Sequence, residues 1–445
     1  MNAPLSSAPV FFSKPGVVCS AGNSVEELWA SCVSGNQSGI GKVRSLSGKE
    51  FFVAKVRDTV LQKTAARFDT RLIRIADAAL RQIDDVIARA ISRYGKARVA
   101  VCVGSCDNGT ELSFAAHKQF VESGAFPTGY SLEMQGADYP ASFIAEKYGV
   151  QGAALAFSTA CSSSAVAIIK AAELIQGGFA NAVIAGGVDI VSDTVLLGFD
   201  SLEAVSAEVT NPFSKNRRGI TLGEGAAFFV MAKDADVLSC SQTVHGQTTD
   251  TRGATANNTT PVQTAAAAAT ATSAQAATTA CVKLLGWGES ADAHHMTSPE
   301  PQGNGATSAM SAALERASIS ASDIDYINLH GTGTQFNDIM EARAVARVFG
   351  DAVPVSTTKP LTGHTLGAAG ALEAAICYTA LVHNTGKTGA AIQLPVQVWD
   401  GVRDEALPPV NIVSTGTDLH RTHVRTCMSN SFAFGGANAC LILGV

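Results

Sequence analysis

The chain has no long block of basic residues to offset a formal net charge of −6. That weighs against a general nucleic-acid binder, which needs clustered Lys and Arg to neutralise phosphates. None of its ten cysteines stands at the spacing of a zinc site or a disulfide framework. Cys19, Cys102, Cys377 and Cys440 sit in apolar contexts instead, the usage of a reducing cytoplasm. The N-terminal stretch lacks a basic segment followed by an apolar one, and no uncharged apolar run is long enough to cross a bilayer. The expectation is a soluble, cytoplasmic chain without a membrane span.

The 445 residues, 46% of them hydrophobic, are enough to bury a large core over two or three domain-sized units. Residues 98–104 and 180–189 are near-continuous apolar runs, the pattern of strands buried on both faces, and residues 223–231 repeat it. Residues 69–90 place apolar side chains at helical spacing and predict one amphipathic helix, with Lys63, Arg67, Arg71 and Arg74 before and on its first turns. Ser24 predicts a helix N-cap. Strands alternating with helices across short Gly-rich loops give an α/β layered architecture.

Residues 246–280 differ from the rest. Of these 35 residues, 23 are Ala or Thr, and nothing after Arg252 is charged. So little bulky apolar surface cannot offset the entropy of ordering, so this stretch is expected to be a flexible surface insertion. It separates an N-terminal half, 1–245, from a C-terminal half, 281–445.

The chemistry begins at Cys161, where the short apolar run 153–157 meets an Ala/Ser-rich helix closing on Gly177-Gly178. Unpaired amides and the helix dipole at such a start favour an anion, so a cysteine there can attack as thiolate. A buried inert thiol fits this stretch equally well. In the second half, residues 325–330 deliver His330 into Gly331-Thr332-Gly333-Thr334, and residues 353–356 lead to Lys359 and His364. The strand, polar turn and small-residue helix of 356–382 echo 157–178, which suggests an internal duplication with the site between the halves.

Three further motifs decide between the readings: His330-Gly-Thr-Gly-Thr-Gln-Phe-Asn-Asp338-Ile-Met-Glu341, Thr358-Lys359-Pro-Leu-Thr-Gly-His364 with Glu373 beyond it, and Asn430-Ser-Phe432-Ala-Phe434-Gly435-Gly436-Ala-Asn438. In order and spacing, together with Cys161, they resemble the β-ketoacyl-acyl-carrier-protein synthases of the elongating, Cys-His-His type. The resemblance covers nearly the whole chain outside 246–280.

It implies a thiolase-like α/β fold: two duplicated halves in a five-layer α-β-α-β-α stack, as a homodimer or a ketosynthase heterodimer. Cys161 would accept an acyl group from acyl carrier protein, with the amides of Cys161 and Phe434 holding the oxyanion and Phe432 beside them. His330 and His364 would stabilise the enolate formed when malonyl carrier protein loses carbon dioxide. Lys359 and Glu373 would form a buried pair orienting His364, and Asp338 and Glu341 would support the loop after His330. Thr332 and Thr334 would contact pantetheine, and Phe434 would gate the site on a Gly435-Gly436 hinge. The carrier is expected on a basic surface of Lys63 and Arg67 with Arg217. No metal or redox cofactor is implied, the substrates riding on the carrier's phosphopantetheine.

Two segments depart from the common pattern, Gly104-Ser-Cys106-Asp-Asn-Gly109 and Leu394-Pro-Val-Gln-Val-Trp399-Asp400-Gly401. Both resemble the synthases of aryl polyene pathways. A chain-length-determining partner subunit would typically lack the nucleophile that is present here. A coenzyme A-dependent thiolase would carry a second cysteine in the C-terminal Gly-rich loop, and residues 428–439 contain none.

Overall fold

Runs such as Val99–Gly104, Ala182–Asp189 and Gly225–Ala232 are buried at every residue. With no polar face to offer water, they can only be interior strands. The computed structural model that contains them describes residues 8–107, 109–238, 281–415 and 422–445. The insertion expected at 246–280 lies outside the described residues.

The first half supplies β1 (Val10–Phe12), β2 (Gly16–Cys19), β3 (Ile40–Arg44), β4 (Glu50–Ala54), β5 (Val99–Gly104), β6 (Ala154–Phe157), β7 (Ala182–Asp189), β8 (Leu222–Gly223) and β9 (Gly225–Ala232). The second supplies β10 (Lys283–Ala291), β11 (Tyr326–Asn328), β12 (Pro354–Ser356), β13 (Asn411–Ile412), β14 (Thr426–Phe432) and β15 (Ala437–Gly444). In the first half β6, β5 and β7 are parallel, β9 is antiparallel to β7, and β2 is antiparallel to β9. The second half repeats this with β12, β11 and β14 parallel, then β15 and β10 each antiparallel to its neighbour. β1 lies between β9 and β10 and joins the two into one sheet. The duplication suggested by the echo of 157–178 in 356–382 is thus a shared strand order.

Between the halves run two buried helices, Ser163–Gln176 and Ala369–Asn384, whose side chains pack with strands of both halves in one apolar cluster. Small residues let them touch: a Cβ on Gly370 would lie 2.7 Å from the Ala165 amide, and the Ala371 N–H donates to Ser164 Oγ at 2.8 Å. Outer helices cover the other faces around separate clusters, which completes the five-layer thiolase-like stack. The stretch Leu366–Asn384 has the length and hydropathy of a bilayer span, but most of it is buried inside this core.

The single helix expected over 69–90 is divided. Arg71–Leu80 and Asp84–Tyr94 are separated by a 3₁₀ turn, Arg81–Ile83. Gln82 in that turn bonds both the N–H and the C=O of Val17 on β2, so the break serves the sheet. Ser24 caps its helix as expected, accepting from the Glu27 amide. At the end of the sheet order, β6 is partly exposed, and the helix Thr110–Ser123 shows Phe114, Phe120 and Val121 to solvent.

Candidate active site

The turn that carries Cys161 is strained. After β6 the backbone enters the left-handed region at Ala160, φ 52°, then makes the 3₁₀ turn Ala160–Ser162 before the core helix. For a residue with a Cβ this costs roughly 1–2 kcal/mol. Neighbours hold it: the Ala160 carbonyl accepts from Ser163 Oγ at 2.5 Å and from Cys106 Sγ at 3.1 Å, and the Thr159 amide donates to Ser163 Oγ at 2.9 Å. The result is a buried thiol whose Sγ lies 3.0 Å from His364 Nε2 and meets the Phe434 backbone N–H. Burial pushes this thiol up to about 11, against the pull of Lys359 and the Phe434 amide.

Both histidines are fixed through their backbones. Glu341, on the helix Gln335–Phe349, accepts from the amides of His330 at 2.8 Å and Gly331 at 2.7 Å. His364 donates its amide to the Thr221 carbonyl at 2.7 Å and accepts from the Gly223 amide at 3.0 Å, so first-half residues position a second-half histidine. The rings stand nearly perpendicular with centroids 5.3 Å apart. Ligand atoms of Cys161, His330 and His364 all fall within 4.8 Å of one another. Burial, with Lys359 nearby, holds both imidazoles well below the usual histidine range. Both rings are therefore neutral at physiological pH.

Lys359 forms a buried ion pair with Glu373, as expected, but its Nζ reaches His330 Nδ1 at 3.4 Å rather than the ring of His364. It acts on His364 through its charge, and the short helix Lys359–Thr362 precedes that histidine. Asp338 ties the halves together, accepting from the amides of Phe213 at 2.8 Å and Gly333 at 3.2 Å.

A cavity of about 330 Å³ opens onto Cys161, His330 and His364, and Thr332 and Thr334 line it. Phe434 stands in its wall, stacked on Phe199 with centroids 5.7 Å apart. Gly435 and Gly436, at φ 80° and 77°, provide backbone that a side chain would strain. Phe432 is buried beside His330, ring centroids 6.3 Å apart.

The basic surface needs a correction. Arg217 is buried and bound to Asp404 at 2.6 Å and to the Ser214 carbonyl, so it belongs to the cavity wall. Sequence alone made it look exposed because its carboxylate partner lies almost two hundred residues away. Lys63 is exposed, whereas Arg67 is engaged by Glu133 and Glu146.

One residue of the site escaped the sequence reading. Asp189, fully buried at the end of β7, receives hydrogen bonds from residues 105–107 and from Gly367. Its only signal was a carboxylate closing an otherwise apolar run.

The family model "Beta-ketoacyl synthase, N-terminal domain" matches residues 15–236, and "Beta-ketoacyl synthase, C-terminal domain" matches 280–388. The chain is 29% identical over 451 residues to a 3-oxoacyl-[acyl-carrier-protein] synthase 2 of Coxiella burnetii, with 96% of each covered. The corresponding protein of Vibrio harveyi is also 29% identical, over 456 residues, with 96% of each covered. A solved ketosynthase in complex with its chain length factor, from Xenorhabdus doucetiae, is similar at 33% identity and TM-score 0.82 over 100% of both chains. The ishigamide ketosynthase/chain length factor is similar at 25% identity and TM-score 0.79, over 98% of this chain and 99% of that one.

Proposed function

Because the chain belongs to the β-ketoacyl synthase family, we infer that it forms carbon–carbon bonds by decarboxylative condensation of an acyl thioester with malonyl carrier protein. The observation that carries this reading is Cys161 Sγ at 3.0 Å from His364 Nε2, with the neutral His330 ring beside it.

Cys161 attacks the acyl thioester, and the tetrahedral oxyanion sits on the amides of Cys161 and Phe434. Collapse expels the carrier thiol, which takes the proton that left Sγ through His364. Malonyl carrier protein then enters past Phe434. Its carboxylate leaves as carbon dioxide, and the electron pair is held as an enolate whose oxygen accepts N–H bonds from His330 and His364. The enolate carbon attacks the acyl-cysteine, the same amides hold the second oxyanion, and Cys161 leaves as thiolate and takes up the one proton the overall reaction consumes, from water. The product is a β-ketoacyl carrier protein. The steps balance with these side chains, phosphopantetheine-borne substrates and one proton from water, so the reading includes no cofactor. Lys359 and Glu373 act as scaffold, Asp338 and Glu341 position the loop of His330, and Thr332 and Thr334 lie where pantetheine would pass.

The chain retains Cys161 with both histidines, which favours a catalytic subunit over a chain-length partner. Similarity to two ketosynthases solved with chain length factors, together with the two departing segments 104–109 and 394–401, supports polyketide or aryl polyene synthesis. A second chain, identical or related, would cover the exposed β6 edge and the helix Thr110–Ser123. Acyl carrier protein would dock near Lys63. Cys19, Cys102, Cys161, Cys377 and Cys440 are free thiols, in keeping with a cytoplasmic setting. The halves are taken as 1–245 and 281–445, with 246–280 between. The test is intact-mass analysis of the protein and carrier products after mixing with acyl and malonyl carrier proteins. An acyl adduct confined to Cys161 and a β-ketoacyl carrier are expected; no adduct with any acyl carrier would overturn the reading.

A further inference from the structure

Asp189 has no place in the reaction as written, yet four groups from two distant segments converge on its carboxylate. Oδ1 accepts from Ser105 Oγ at 3.1 Å and from the amides of Cys106 at 3.1 Å and Asp107 at 2.9 Å. Oδ2 accepts from the Cys106 amide at 3.0 Å and the Gly367 amide at 2.5 Å. Each group facing it is a donor, so an acceptor-only carboxylate fits and a protonated acid or an amide does not.

Each segment leads to one catalytic side chain. Cys106, held by Asp189, puts its Sγ on the carbonyl of Ala160, the strained residue that aims Cys161. Gly367 lies in the 3₁₀ turn Leu366–Ala368, three residues after His364. The packing leaves no slack: a Cβ on Gly367 would lie 2.6 Å from Asp189 Oδ2 and 2.8 Å from the Cys106 amide. One carboxylate therefore clamps the support of the nucleophile to the turn that carries its histidine.

We propose that Asp189, as a carboxylate, is the positioning residue that sets the separation of Cys161 Sγ from His364 Nε2. The proposal rests on the reading of Cys161 and His364 as catalytic partners. Burial and the negative Asp107 beside it push Asp189 up to about 7. The other titratable groups around it are the thiols of Cys106 and Cys161, with Lys359 and Glu373 beyond Cys161. Protonation of Asp189 puts a hydrogen among donors and releases a turn, so acyl transfer falls as pH drops through 7. Stability moves the other way. A folded-state value above the unfolded one means that the folded protein gains from protonation. A purely structural carboxylate would not separate activity from stability in this manner.

The test compares Asp189→Asn with the wild type across pH 6 to 9, using acyl transfer from acyl carrier protein to Cys161 as the readout. Expected is a kcat lowered on the order of 100-fold, the cost of misplacing reacting groups by about 1 Å, with KM unchanged. The acid limb of the profile should also disappear. Glu341 is likewise pushed to about 7, so Glu341→Gln, which should keep that limb, assigns it. Should Asp189→Asn fail to fold, Ser105→Ala removes one bond to the same carboxylate and should shift the limb upward. A folded Asp189→Asn with wild-type kcat and an unchanged acid limb would overturn the proposal. Absence of an acyl adduct on Cys161 in the wild type would instead overturn the catalytic reading beneath it.

Discussion

Cys161 and Gly367 occupy matching places in the two halves. Each follows a residue in left-handed backbone, Ala160 at φ 52° and Leu366 at φ 50°, in the 3₁₀ turn that opens a core helix. In the first half that helix start carries a thiol. In the second it carries only an amide, and the amide is bonded to the Asp189 carboxylate. One duplicated turn thus serves once as nucleophile and once as an anchor for the histidine beside it.

Cys161→Ala should fold and melt within a few degrees of the wild type, since it replaces one small buried side chain with another of similar volume. Acyl adduct formation, read by intact mass, should vanish. A persisting adduct would place the nucleophile elsewhere, with partly buried Cys106 the next candidate.

Replacing His330 or His364 removes one of two donors to the enolate oxygen, which typically costs on the order of 100-fold or more in rate. Release of carbon dioxide from malonyl carrier protein should fall by that factor in each variant. Cys161 of a His330→Asn variant should still take up an acyl group, because His364 is the ring against Sγ. Undiminished decarboxylation in both variants would remove the histidines from this role.

Asp189, Glu341 and Glu373 are all pushed up to about 7 by burial. Each folded-state value lies above the unfolded carboxylate value near 4. The stability these groups contribute is fully present below that unfolded value and is lost as pH rises through 7. The melting temperature should therefore climb as pH is lowered from about 8 to about 5. Further acidification should reverse the trend, because the Arg74 guanidinium holds Asp69 at about 2. A melting temperature flat between pH 8 and 5 would mean that these carboxylates titrate in the ordinary range.

Carrier docking makes a sharper demand on Lys63 than on Arg67. Lys63→Glu reverses an exposed charge and should raise KM for acyl carrier protein several-fold while weakening its salt dependence. Arg67→Glu also disturbs the contacts with Glu133 and Glu146, so its effect on KM should be accompanied by a change in melting temperature. Unchanged kinetics in both would move docking to another face.

How much was legible followed from how local each signal was. The turn of Cys161 and the histidines at strand ends were readable because strand, turn and helix are contiguous in sequence. Asp189 was not, since its partners sit 82 to 178 positions away and backbone amides leave no mark on composition. Arg217 was misplaced for the same reason, its buried state depending on Asp404. The break at Arg81–Ile83 was hidden because both helices continue one apolar stripe, and only Gln82 reaching across to Val17 requires the turn.

The connection between β9 and β10 gives the last prediction. Both strands pair with β1 at the same residue, Ala232 and Lys283 each lying opposite Phe11. Two strand spacings separate them, roughly 10 Å, which three or four extended residues could span. The family models agree, stopping at 236 and resuming at 280. Closing a long loop in place of a short one costs only about 0.6 kcal/mol per doubling of length. Replacing residues 246–280 with a Gly/Ser linker of about eight residues, ample for that span, should leave condensation rate and melting temperature nearly unchanged. Lost activity with retained stability would assign 246–280 to the functional surface, and lost solubility would assign it to an interface.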